Sequence, residues 1–151
     1  MARTWLQVQV ELLGGRGIEF DPPPGRIFLV GPSHSFDQLA EAIDAAFARW
    51  DLSHLHEFEL PDGRRVGFPS DDYEPELVWE DHAALKVARE LTPGQEFGYV
   101  FDLGDDWRHH CRVLDEKVDP AEEYGAPPTR PVPIWGWGWI PDQYGRETLE
   151  D

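Results

Sequence analysis

Residues 101–111 read FDLGDDWRHHC, placing three carboxylates, two adjacent histidines, a tryptophan and the chain's single cysteine in one short stretch. Residues 54–56 read HLH, a second pair of histidines. Histidine titrates near neutrality and ligates divalent metals. A carboxylate beside it shifts both groups toward acid–base use. Asp102 stands in an otherwise apolar alternation, a costly position unless its charge is paired. His54, His56 and His109 are the groups that could pair with it, so His54, His56, Asp102 and His109 are the catalytic candidates. The metal-ligating candidates are His54, His56, Asp105 and His109.

These donor types suit zinc or iron, which need three or four convergent ligands. Their spacing matches no compact zinc motif, because neither CxxC nor HExxH is present. The competing reading, which the sequence favours, is structural: the histidines donate to Asp102 or to backbone carbonyls and hold a hairpin in register. No nucleophile stands out. Cys111 falls mid-strand, where cysteine acts as a small buried hydrophobe. Gly104-Asp105-Asp106 reads as a turn, with glycine supplying positive φ. No cofactor is expected, with a divalent metal as the alternative.

The elements that must position these groups are visible as periodicities. Trp5 to Leu13 alternates, a half-buried strand ended by Gly14-Gly15-Arg16-Gly17. Arg26 to Val30 is a second strand. Ser33 or Ser35 can cap a helix in which Phe36, Leu39, Ala40, Ile43, Phe47 and Trp50 form an apolar face, and Asp37, Glu41, Asp44 and Arg49 the polar one. His54–Leu60 and Arg64–Phe68 flank the Pro61-Asp62-Gly63 turn. Residues 69–81 read as an acidic irregular loop, and 82–91 as a short helix. Phe97, Tyr99, Phe101 and Leu103 alternate, and Trp107–Leu114 supplies the partner strand. The order ββαββ(α)ββ predicts an α+β fold, a mainly antiparallel sheet with one principal helix packed on a face.

Residues 1–117 form this core. Residues 118–151 are a Pro/Trp-rich C-terminal arm expected to pack back on it within a single domain. Trp135, Trp137 and Trp139 alternate with glycines, so an extended backbone would turn all three rings one way. With Tyr144 they are the candidate binding residues, a platform for a flat ligand or a peptide. The favoured alternative is that the rings cover the core.

The chain has 151 residues with 13 basic and 30 acidic side chains, a net charge of −17. Such a field repels a phosphate backbone, which disfavours direct nucleic-acid binding and leaves a basic protein as the expected partner. The acidic segment 71–81 is either a solvated loop or the docking surface for that partner. The lone cysteine fits a reducing cytoplasm, no run is long enough to span a bilayer, and MARTWLQVQVELLGG lacks a signal-peptide core. Oligomeric state is not readable.

Trp50-Asp51 with His54-Leu55-His56-Glu57-Phe58, and YVFDLGDDW at 99–107 with His109, together resemble the plasmid pRiA4b open-reading-frame-three-like family over roughly residues 5 to 145. Phe101 replaces that family's usual tyrosine and Leu103 its usual phenylalanine. The resemblance implies an α+β domain and a plasmid or mobile-element setting in bacteria and archaea, with resolvase-like labels on some members. It brings no established activity. The expectation is therefore a cytosolic, non-enzymatic accessory or interaction domain with an acidic surface. The alternatives are a small metal-dependent or acid–base enzyme, and a ligand-binding module built on the tryptophans.

Overall fold

The alternation read in the first strand is kept in three dimensions. In a computed structural model describing residues 4–68, 79–121 and 125–144, β1 (Leu6–Gly15) buries Leu6, Val8, Val10 and Leu12 and leaves Gln7, Gln9 and Glu11 half-buried. Arg16 and Gly17 both take positive φ, the signature of a type I′ turn, and reverse the chain into β2 (Ile18–Glu19). The other elements are β3 (Gly25–Val30), α1 (Phe36–Ala46), β4 (His56–Glu59), β5 (Arg65–Gly67), β6 (Trp79–Asp81), α2 (Val87–Glu90), β7 (Glu96–Phe101), β8 (Trp107–Val113) and β9 (Val132–Trp137). They form one sheet in the order β6-β5-β4-β7-β8-β1-β3-β9, with β2 attached to β1. Every pairing is antiparallel except β5 with β6.

Phe58, Tyr99, His109 and Leu12 lie opposite one another across β4, β7, β8 and β1 and are all buried. That face packs beneath α1, whose Phe36 meets Phe58 at a ring separation of 5.1 Å. One covered face and one wet face suit an antiparallel sheet. The fold is thus α+β with a mostly antiparallel sheet. The expected order is corrected by β2, β6 and β9, which were not foreseen as strands. The acidic loop expected over 69–81 yields β6 at its end, and residues 69–78 lie outside the described residues.

The helix expected over 82–91 shrinks to the single turn of α2. The backbone ahead of it is committed elsewhere: Asp37 N–H donates to His82 O at 2.9 Å, Phe36 N–H to Leu85 O at 3.2 Å, and Val87 N–H to His34 O at 3.1 Å. The free N–H groups of α1's first turn take the place of a local helix. Ser35 is the cap, in a reciprocal capping box with Gln38.

The far end of α1 closes in a Schellman motif, with Ala48 N–H on Ala45 O at 3.2 Å and Arg49 N–H on Asp44 O at 2.8 Å. Ala48 sits at φ 60°, a left-handed position that favours glycine. Ala48→Gly is expected to raise stability by about 0.5–1 kcal/mol, read as a higher urea midpoint at unchanged slope.

The arm adds β9 to the sheet edge beside β3. Its rings do not share one environment, which corrects the expectation that all three cover the core. Trp137 lies against Gly25, where an added Cβ would come within 2.3 Å of the indole, and its Nε1–H donates to Pro23 O at 3.2 Å. Trp135 and Trp139 are 69% and 72% exposed. Trp137 pairs with Gly25, which has no side chain to keep the indole off the sheet, whereas Trp135 pairs with Ile27 and Trp139 lies beyond the strand. Among the described residues, no helix is long and apolar enough to cross a membrane.

Candidate functional site

The four catalytic candidates do not converge. His109, on β8, is sealed in the core: its Nδ1–H donates to Tyr99 O at 3.0 Å and its Nε2 accepts from Arg49 Nη2 at 3.1 Å. Those partners fix a neutral tautomer. Burial first, and then the Arg49 charge, hold its pKa well below the usual histidine value.

Asp102 leaves the strand at φ 61°, and its Oδ1 accepts from Gly104 N–H at 3.1 Å and Asp105 N–H at 3.2 Å. It organises the hairpin turn. Asp102 and Asp106, not Gly104, take the left-handed positions, because an aspartate side chain can bond the local backbone. Asp105 faces Arg16 at 3.9 Å and has no histidine partner.

His54 lies in the loop before β4. Its Nδ1 is 3.6 Å from Asp102 and its Nε2 is 2.6 Å from the Tyr144 hydroxyl, which also donates to Asp51 at 2.7 Å. Tyr144, grouped in sequence with the tryptophan platform, is therefore part of a different cluster. Gln143 anchors it: the side-chain oxygen accepts from Trp50 N–H and Asp51 N–H, both at 2.9 Å, and Nε2 donates to Asp51 O at 2.8 Å.

His56 turns to other partners. Its Nε2 lies 2.8 Å from His82 Nδ1, and that atom is 3.5 Å from Asp37 Oδ1. One donor atom from each of the three residues lies within 4.8 Å of the others, the only such group of three among the described residues. Metal bonds of about 2.0–2.1 Å place neighbouring ligand atoms roughly 3.0–3.4 Å apart, so small movements would seat a cation. His82 is buried, and Asp37 and His56 are half-buried. Burial first, then the neighbouring His82, pushes His56 down to about 4 against the pull of Asp37, so its imidazole is neutral near neutrality.

Three elements bring these donors together. The capping box fixes the first turn of α1 and so Asp37, β4 carries His56, and the backbone bonds of His82 to Gly67 and Asp37 pin the segment after β6. The group opens on a cleft of about 380 Å³, with Glu41, Asp44 and His54 among its polar lining and Leu52, Leu55 and Phe68 among its apolar lining. Among the described residues, no lysine or arginine lines it. Sequence reading named only His56 of the three. Asp37 was read on the polar face of the first helix and His82 as the head of a second, and neither carried a spacing signal.

A second missed group lies beneath the cleft. Asp44 and Arg49, placed on the polar face of the helix by periodicity, are 5% and 6% exposed. The Tyr99 hydroxyl donates to the Asp44 carboxylate at 2.9 Å. Arg49 Nη1 stands 4.0 Å from Asp44 Oδ1, and the guanidinium lies over the Phe47, Phe101 and Trp107 rings at 5.6, 5.6 and 5.3 Å. Burial pushes Asp44 up to about 7, opposed by Arg49 and by the Tyr99 hydroxyl. The available signal was Tyr99 itself, since a buried tyrosine hydroxyl requires an acceptor.

Comparison with known proteins follows this geometry. A crystal structure of a protein of unknown function from Methanosarcina mazei Go1 superimposes with a TM-score of 0.67 at 23% identity, covering 87% of this chain and 68% of that one. That likeness shows the fold. The aminodeoxychorismate lyase of Saccharomyces cerevisiae is 30% identical over 81 residues, 53% of this chain. The match spans only 21% of that protein's length. The profile of the plasmid pRiA4b ORF-3-like proteins matches residues 5–131, most of the described core and the HLH and GDDW segments within it, and the chain belongs to that family.

Proposed function

We propose that this protein binds a first-row divalent cation through Asp37 Oδ1, His56 Nε2 and His82 Nδ1 and presents it to the cleft. The observation that carries the reading is the approach of the three donor atoms to within 4.8 Å. Two imidazoles and a carboxylate suit zinc, iron or manganese better than magnesium or calcium, which prefer all-oxygen sites. Three protein ligands leave a coordination position open, as catalytic metal sites do and structural sites do not. The chemistry such a centre supports is activation of a bound water, or polarisation of a carbonyl, at the cleft floor. This favours the metal-dependent alternative over a purely structural role for His56.

The test is metal uptake by tag-free protein stripped with a chelator. Isothermal titration with Zn²⁺ is expected to show one site per chain with micromolar or tighter affinity, and Mg²⁺ none. At a hundredfold excess over the dissociation constant the ion should stabilise the fold by about 2.7 kcal/mol. Stoichiometry well below one, or equal response to Mg²⁺, would sink the reading.

An accessory role beside a basic protein keeps support from the net charge of −17 and from a cleft wall that holds no lysine or arginine among the described residues. The mobile-element setting rests on the family's name alone.

A further inference from the structure

Of the eight large exposed apolar side chains among the described residues, four gather in one place. Leu52, Leu55, Phe68 and Leu103 are 60%, 43%, 61% and 42% exposed, and all four border one region. Leu52, Leu55 and Phe68 line the cleft, while Leu55, Phe68 and Leu103 line a second hollow that shares His56 with it. A contiguous apolar rim on a strongly charged protein marks an interaction surface.

The polar wall states the charge of the occupant. Glu41 is exposed and, among the described residues, has no ion-pair partner. Asp37 and Asp44 stand on the same face of α1 at spacings of four and three residues from it, and all three line the cleft. Nucleic acid and anionic lipid would be repelled by this wall and by the net charge of −17. A second copy would bring the same negative charge.

We propose that the rim docks a basic, apolar peptide segment of a partner protein, its leucine-like side chains on Leu52, Leu55 and Phe68 and its lysine or arginine on Glu41. The surface runs across two adjoining hollows, more than a small amine would occupy, which favours a peptide. None of Leu52, Phe68 and Glu41 is a metal donor, so the interaction stands without the cation.

The test uses the full chain in chelator with fluorescein-labelled peptides read by anisotropy. The probe alternates leucine and lysine, with leucine–glutamate and serine–lysine peptides as controls. Phe68→Ser and Glu41→Lys, both at exposed positions, are each expected to weaken the leucine–lysine peptide by about tenfold or more. Trp135→Ser, an exposed ring that lines neither hollow, should leave it unchanged. The proposal is overturned if the serine–lysine peptide binds as well, which would mean charge alone. It is also overturned if the leucine–glutamate peptide binds equally, or if Trp135→Ser weakens binding as much as Phe68→Ser. Sedimentation showing a wild-type dimer that Phe68→Ser dissociates would assign the rim to a second copy instead. Because chelator is present throughout, failure here leaves the metal reading intact, and failure of metal uptake leaves this one intact.

Discussion

His82→Ala is expected to lower zinc affinity by more than about 100-fold, since even outer-shell partners of a metal site are worth 10–100-fold and this change removes a direct donor. In a thermal melt the zinc-dependent rise should vanish. Asp37→Asn and His56→Ala should do the same, because each supplies one of only three protein donors. The fold should survive His82→Ala. The backbone bonds from His82 to Gly67 and Asp37 do not involve the side chain, and the imidazole lies beside a cleft instead of inside the core. His54→Gln is the decisive control. His54 lines the same cleft but faces Tyr144, Asp51 and Asp102, so the metal isotherm should be unchanged. If His54→Gln abolishes uptake while His82→Ala does not, the centre belongs to the Asp102 cluster and the assignment is wrong.

Arg49→Met is expected to destabilise the fold by about 3 kcal/mol or more at pH 8, because it strips a buried carboxylate of its counter-charge while nearly conserving volume. A shift on the order of 10 °C in melting temperature follows for a chain of this size. The pH dependence has a definite sign. Asp44 is raised from 3.8 to about 7 in the fold. Between those values the folded state holds a proton the unfolded state has lost, so Asp44's contribution is full below 3.8 and is lost as pH rises through 7.

Removing Arg49 raises Asp44 further, so the variant keeps losing stability above pH 7 where the wild type has levelled off. The penalty should be smaller at pH 6 than at pH 8. His109 works in the opposite direction. Its depressed pKa contributes stability that is present above its ordinary value of 6.5 and is lost as pH falls below it. Combining Arg49→Met with Asp44→Asn removes both charges and should recover most of the loss at pH 8. A double variant no more stable than Arg49→Met would show that the stacking on Phe47, Phe101 and Trp107, and not the charge, carries Arg49's effect.

Much of the fold was legible because it is written in short-range pattern. The period of two in Leu6–Leu12 and in Phe97–Phe101, the period near 3.6 in Phe36–Ile43, and the serine cap before Asp37 each depend on neighbours in sequence. The failures are equally specific. Periodicity placed Asp44 and Arg49 in water. A left-handed Ala48 turns the chain under the sheet's covered face, and Tyr99 requires the carboxylate. Glycine in the GDD turn suggested its own positive φ, yet aspartates on either side took that role. Three tryptophans suggested a lid, but strand pairing at the sheet edge left two of them in solvent.

The sequence by itself determined the α+β class, the family resemblance carried by HLHEF and YVFDLGDDW, the acidic charge, and His56 as a chemically active type. Tertiary structure alone decided which groups meet His56. Asp37, His56 and His82 come from the first turn of a helix, a central strand and a loop after a parallel edge pair, and no local period links such positions. Their approach depends on β4 pairing with both β5 and β7, and on the N–H groups of α1's first turn taking the carbonyls of His82 and Leu85. Those are long-range hydrogen bonds, set by register and by the satisfaction of buried backbone groups. FDLGDDWRHHC, the densest cluster of reactive types, became a hairpin with one histidine in the core, while Asp37, His56 and His82, which the sequence had kept apart, brought their donor atoms together.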